Sequence, residues 1–353
     1  ETGTGMNDAP LLIPEADIIG HGPFTDALAR SMAGGRIAHG WLLTGPQGIG
    51  KSIMACMAAA WLLSEDRGTG EGFALDRRDP GANLVIRGAH PDLMLVRPQA
   101  EDNKSGQIKI DQIRRIAGFM ATKPGRGGWR VVIIDTMDAV NHNGANALLK
   151  LLEEPPERAM MILVASRPGR LPPTIRSRCQ LVRVAPLDQE ACRTILLARL
   201  GDDQVGRAAT LARLSEGAPG RGMALAESQS DDLYRAVCAL MAQPRLDEAA
   251  LATLCDKWGR GGAVGQAGRD GAIWLVGRLL RLAALRAGHG DAAPECDFEQ
   301  PAITRLAGGC PAADLAAAHG SFLRTASLMD SLYLDFGHFL SRELISLHRK
   351  SLP

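Results

Sequence analysis

Aromatic residues are scarce in this chain, at 4% of 353 residues. A core with few large flat side chains has to be filled by Ala, Leu, Val and Ile, and packing through small aliphatic groups favours helices. The cysteine spacing rules out a zinc knuckle or a dithiol redox motif. None of Cys56, Cys179, Cys192, Cys238, Cys255, Cys296 and Cys310 forms a Cys-x-x-Cys pair. Scattered thiols without a signal peptide fit a reducing cytoplasm, which is the expected location. No apolar run reaches the ~20 residues of a bilayer-spanning helix, so no membrane role is expected. There is no large excess of either charge: the formal net charge is +1. Any nucleic-acid contact must then come from a local patch or from a larger assembly. Internal repeats and coiled-coil heptads are missing as well. What remains is a globular composition, 46% hydrophobic and 22% charged, on a chain too long for one ordinary core; two or three domains are expected. Residues 1–5, ahead of Met6, read as an expression scar and, with the tail to residue 13, are left out of the fold.

Short apolar runs alternate with helical stretches up to about residue 186, the rhythm of βαβ units around a parallel sheet. Trp41-Leu42-Leu43-Thr44, Leu93-Met94-Leu95-Val96, residues 130–135 (RVVIID) and residues 160–166 (MMILVAS) read as buried strands. Residues 52–63 read as a helix, and residues 146–154 (NALLKLLEE) as another, halted by Pro155-Pro156. Ile108, Ile110, Ile113 and Ile116 fall near one helix face. Residues 64–91 turn polar, with Gly68, Gly70, Gly72, Arg77, Arg78, Pro80 and Gly81, and read as a surface insertion. Strand signals nearly vanish after Pro186. Residues 187–215 read as two helices, Gly220-Arg221 opens a third, and from about residue 230 everything is helical. The expected domains are an α/β nucleotide-binding domain (14–186), a small helical lid (187–229) and an all-α C-terminal domain (230–353).

Gly45-Pro46-Gln47-Gly48-Ile49-Gly50-Lys51-Ser52 matches the phosphate-loop pattern G-x-x-x-x-G-K-[ST] in full, between a strand and a helix as that motif requires. Glycines let backbone N–H groups wrap a phosphate, and the helix N-terminus that follows, carrying Ile53, favours an anion. Lys51 would reach the β- and γ-phosphates and Ser52 would ligate Mg²⁺, so ATP or ADP is the expected ligand. Asp135, closing a buried strand, suits the second Mg²⁺-binding position. A hydrolytic enzyme of this kind needs a base to activate water. The next residue is Thr136, a poor base at neutral pH, and Asp138 is misplaced to substitute. Nucleotide binding with feeble hydrolysis is the expectation.

Other polar residues have ordinary readings beside functional ones. Ser166 at a strand end could sense the γ-phosphate or simply cap a turn. Arg221 could reach the phosphate from the next domain or sit exposed at a helix start. Arg178, in the run Ser177-Arg178-Cys179, could serve a neighbouring subunit's phosphate or be structurally paired. Glu153 and Glu154 before the double proline read as a solvated helix end rather than a catalytic pair. Arg114, Arg115, Lys123, Arg126 and Arg130 could touch a nucleic-acid backbone, though such a cluster is more often a solvated face.

Taken together, GPQGIGKS, Ala89-His90-Pro91-Asp92-Leu93, VVIID, NALLKLLEEPPE and Ile175-Arg176-Ser177-Arg178-Cys179 resemble the clamp-loader branch of the AAA+ proteins. NALLKLLEEPP together with Ser-Arg-Cys is the specific part, and the resemblance covers residues from about 18 to 225. Within the branch the chain is similar to the delta-prime subunits rather than to the gamma/tau motors, which usually carry Asp-Glu where Asp135-Thr136 stands. Cysteines that bind zinc in many relatives are missing from residues 64–91, so no zinc site is expected. The resemblance implies a subunit of DNA polymerase III that joins delta and gamma/tau subunits in a hetero-pentamer. That assembly opens the beta clamp and places it on primed DNA. It also implies that Arg178 acts in trans as an arginine finger and that residues 230–353 form an oligomeric collar. The alternative is an autonomous ATPase motor of the gamma/tau type. An unrelated P-loop kinase would leave NALLKLLEEPP and Ser-Arg-Cys unexplained.

Overall fold

The computed structural model describes residues 13, 22–34, 38–66, 75–98, 108–125, 128–259, 263–290, 296–332 and 335–351. Gly68, Gly70, Gly72 and Arg126 lie outside these. The chain divides into two compact units, Glu1–Leu187 and Asp188–Pro353.

The first unit is built on a five-stranded sheet, β1 (Gly40–Thr44), β2 (Leu93–Val96), β3 (Arg130–Asp135), β4 (Ala159–Ala165) and β5 (Gln180–Arg183). All pairings are parallel and the spatial order is β2-β3-β4-β1-β5. Strands buried on both faces read as unbroken apolar runs, and every residue of β1 and β4 is buried. Around the sheet lie α1 (Gly22–Ala33), α2 (Lys51–Leu62), α3 (Pro80–Ile86), α4 (Ile110–Ala121), α5 (His142–Glu153) and α6 (Pro173–Arg176). Leu42, Val132, Ile134, Met161 and Leu163 pack with Ile113, Ile116, Leu148 and Leu152 in one cluster, which holds α4 and α5 against the strands. This is an α/β architecture around a parallel sheet, with the strand that feeds the phosphate loop, β1, held between β4 and β5.

Several local expectations are corrected. Residues 64–91 are not merely a polar insertion, because Asp79 caps α3: its Oδ1 accepts from the Ala82 N–H at 2.9 Å and its Oδ2 from Glu65 at 3.0 Å. Pro80 stands in the first turn of that helix, and Ala82 and Val85 are fully buried. Ile108 is outside α4. It is buried through a bridge to Val140, so the isoleucine spacing spans a bridge residue and a helix. Helix α5 begins earlier than expected, at His142, where the Asn141 side chain accepts from the Gly144 N–H. Strand β5 was hidden by its composition, since its residues are mostly exposed at the sheet edge.

The second unit is wholly helical among its described residues. It comprises α7 (Gln189–Leu200), α8 (Val205–Leu214), α9 (Pro219–Glu227), α10 (Ser230–Met241), α11 (Glu248–Gly259), α12 (Ala263–His289), α13 (Gln300–Gly309), α14 (Ala312–Leu332) and α15 (Phe336–Lys350). A buried polar cluster ties it together. Glu299 accepts from Arg278 Nε at 2.9 Å, from the Tyr234 hydroxyl at 2.8 Å and from the Cys296 N–H at 2.7 Å. Trp258 Nε1 donates to Ser230 Oγ at 2.9 Å. No described helix is long and apolar enough to cross a membrane.

Candidate nucleotide site

The phosphate loop connects the C-terminal end of β1 to α2, and its backbone needs glycine. Gly45 has φ +152°, and a Cβ there would lie 2.3 Å from the Val184 carbonyl oxygen. Gly50, at the N-cap of α2, has φ 95°, in the left-handed region that a side chain disfavours. No side chain caps α2, so its first N–H groups meet the loop, the arrangement that binds anions at helix N-termini. Ile49 is buried and anchors the loop beneath its own backbone, while Pro46 is exposed, and Gly48 (φ 84°) makes a further left-handed bend.

Lys51 is buried to 4% exposure. Its Nζ donates to the carbonyls of Gly45 (2.8 Å) and Pro46 (2.6 Å) and to Ser166 Oγ (3.2 Å). Ser166, just past β4, therefore meets the loop lysine. Ser52 Oγ donates to Asp135 Oδ1 at 2.7 Å. A hydroxyl and a carboxylate are hard oxygen donors, the kind that hold Mg²⁺ together with phosphate oxygens and water. The residues present thus fit a Mg²⁺-nucleotide, for which Ser52 and Asp135 would be the protein ligands and Lys51 the phosphate cation. Ile53 is half-buried one position further along α2.

One participant was not singled out in the sequence. Arg97, directly after β2, places Nε 3.2 Å from Asp135 Oδ2. Asp138 accepts from the Ser166 N–H at 2.5 Å and the Arg167 N–H at 2.9 Å, one on each carboxylate oxygen. It therefore braces the turn after β4. The Thr136 hydroxyl lies 3.5 Å from Asp135 Oδ1. Beneath these groups the Cys56 thiol is buried, which pushes its pKa to about 12 and leaves it unreactive.

Arg178 lies elsewhere on the same unit, in the turn between α6 and β5. Its Nη1 donates to the Thr174 carbonyl at 3.0 Å and its Nη2 pairs with Glu153 at 2.6 Å. Glu153, exposed at the end of α5, is thus also a partner for Arg178. Arg221 belongs to the helical unit, where its guanidinium lies 3.5 Å over the Trp274 ring and Nη1 donates to the Ser215 carbonyl at 2.8 Å. Burial lowers its pKa to about 10, with Glu216 opposing. This corrects the picture of an exposed helix-start arginine.

The basic cluster on α4 and β3 is not uniform. Arg130 is used internally, paired with Asp92 at 3.5 Å, donating to the Lys123 carbonyl at 2.8 Å and lying over the Phe119 ring. Arg114 pairs with Asp111 one turn away at 3.1 Å. Arg115 and Lys123 are exposed.

Residues 20–188 match the family described as DNA polymerase III, delta subunit. The delta' subunit of DNA polymerase III from Pseudomonas aeruginosa is 38% identical over 180 residues, 50% of this chain and 53% of that one. The delta' subunit from Escherichia coli is 30% identical over 174 residues, 49% of this chain and 50% of that one. The tau subunit from Escherichia coli is 31% identical over 192 residues, 54% of this chain and 28% of that one. The match spans about half the length of the delta' relatives and less of tau. Residues 20–188, which carry the phosphate loop, Asp135 and the Ser177-Arg178-Cys179 turn, are thus the part of the chain that is similar to the DNA polymerase III delta-subunit family.

Proposed function

We propose that this chain is a delta-prime-type subunit of a DNA polymerase III clamp loader, one that holds ATP or ADP with Mg²⁺ and hydrolyses it feebly. The observation that carries this reading is the contrast within one site. Lys51, Ser52 and Asp135 converge as nucleotide binding requires, while the water-activating position holds Thr136. The nearby carboxylate that could replace it, Asp138, has both oxygens engaged by backbone N–H groups. A general base contributes on the order of 10²–10⁴-fold, so its absence leaves binding intact and turnover low.

In the assembly, Arg178 acts in trans on the nucleotide of an adjacent gamma/tau subunit. Its placement on a turn, with the guanidinium braced by Thr174 and Glu153, supports that role. The helical unit supplies a lid over residues 187–229, with Arg221, and a collar over 230–353. Through the collar the chain joins delta and gamma/tau subunits in a hetero-pentamer that loads the beta clamp on primed DNA. The whole works in the cytoplasm.

The test is reconstitution with gamma/tau and delta. Arg178→Ala leaves ATP binding by this chain unchanged and lowers the ATPase of the complex. A trans arginine is worth on the order of 10³-fold or more in GTPases, diluted here by the other sites. An unchanged complex overturns the trans role. Robust DNA-stimulated turnover by the isolated chain would instead make it a gamma/tau-like motor.

A further inference from the structure

Strand register brings an unexpected cation to the Mg²⁺ position. Parallel pairing of β2 with β3 sets Val96 opposite Ile134, so the next residue of each strand, Arg97 and Asp135, emerge side by side at the edge where the phosphate loop lies. Arg97 is held there by its backbone as well. The buried Gln112 donates Nε2 to the Arg97 carbonyl at 3.0 Å and accepts the Lys109 N–H at 2.9 Å, tying the end of β2 to the start of α4. From that anchor the Arg97 side chain sets Nε 3.2 Å from Asp135 Oδ2, while Ser52 Oγ is 2.7 Å from Oδ1. Both lobes of the carboxylate that would bind metal are engaged, one by a hydroxyl and the other by a fixed positive charge.

Two consequences follow from charge alone. A guanidinium this close neutralises the carboxylate and repels a divalent ion, so it lowers the advantage of bringing Mg²⁺ in. The same group is a planar fork of N–H donors suited to phosphate oxygens, and 36% of its side chain is exposed. We infer that Arg97 is a built-in cation that substitutes for Mg²⁺ in holding the nucleotide phosphates, making ATP binding by this chain nearly independent of the metal. This rests on the nucleotide-site reading above and adds a residue to it. Metal-free retention of nucleotide suits a subunit that binds without cleaving.

The experiment is isothermal titration of ATP into the full chain, with Mg²⁺ and with EDTA, for wild type, Arg97→Ala and Arg97→Lys. Wild type binds with similar affinity in both buffers. Arg97→Ala loses on the order of tenfold or more in EDTA, the scale of one charge-assisted contact, and is restored by Mg²⁺. Arg97→Lys keeps part of the metal-free affinity. Wild type as dependent on Mg²⁺ as Arg97→Ala overturns the inference, and so does an Arg97→Ala variant that stays metal-independent. If wild type binds ATP neither with Mg²⁺ nor with EDTA, the nucleotide-site reading itself falls, a result distinct from metal-dependent binding.

Discussion

Removing Glu299 tests the idea that one buried carboxylate organises the helical unit. Glu299 is fully buried and Arg278 is 3% exposed. The carboxylate accepts two guanidinium bonds, at 2.9 and 3.2 Å, besides the Tyr234 hydroxyl and the Cys296 N–H. Burial alone would lower the Arg278 pKa, but Glu299, Tyr234 and Glu216 outweigh it and raise the pKa overall. Glu299→Ala strands that guanidinium, and breaking one side of a buried pair costs about 3–5 kcal/mol. Arg278 keeps Glu216 at 2.6 Å, a partner one-third exposed, which puts the expected loss near the lower end, about 3 kcal/mol. For a unit of this size that corresponds to roughly 6–12 °C in Tm. Urea unfolding followed by far-ultraviolet circular dichroism measures it. The paired replacement Arg278→Met with Glu299→Met removes both charges and should be less destabilising than Glu299→Ala. A loss under about 1 kcal/mol for Glu299→Ala, the scale of an exposed pair, would refute the argument.

Gly45→Ala should cut ATP affinity on the order of tenfold or more and destabilise by about 1–3 kcal/mol, because the new Cβ meets the Val184 carbonyl at 2.3 Å; calorimetric titration and urea unfolding check both. Glu153→Ala should change stability by no more than about 1 kcal/mol, since the Arg178 pair is substantially exposed. It should nonetheless lower the ATPase of the reconstituted complex, with no further loss when Arg178→Ala is added. An additive double variant would show that Glu153 does not act through Arg178. Burial raises the thiol pKa of Cys56, Cys179, Cys255 and Cys296 from 9.0 to about 12. A raised folded pKa means the stabilisation is complete below pH 9 and drains away as pH climbs from 9 toward 12. Denaturation midpoints measured across that window should fall, and replacing Cys56 with Ala should flatten the fall.

Residue patterns carried the phosphate loop because that chemistry is local: glycine conformations, a lysine and a helix start lie within residues 45–52. The buried strands β1, β2, β3 and β4 were legible because strands covered on both faces are unbroken apolar runs. β5 was not, being an exposed sheet edge with polar residues. Helix α3 was masked by its polar flank, since its stability comes from the Asp79 cap and from buried Ala82 and Val85 rather than from a long periodic stretch. Glu153 looked like a solvated charge because nothing in NALLKLLEEPP reveals that α5 ends beside the turn carrying Arg178.

The sequence by itself determined the chemistry that short segments can encode. It supplied the loop for phosphate, Asp135 at a strand end, Thr136 where a base would stand, and a helical second half. Tertiary structure alone decided the partnerships, because each joins residues far apart in the chain. β2–β3 register set Arg97 against Asp135, the turn after β4 engaged both oxygens of Asp138, and helix packing enclosed Arg278 with Glu299. Hydrophobic periodicity records which face of an element is buried, not which polar group it meets across the interface. That pairing is fixed only when strands register and helices dock.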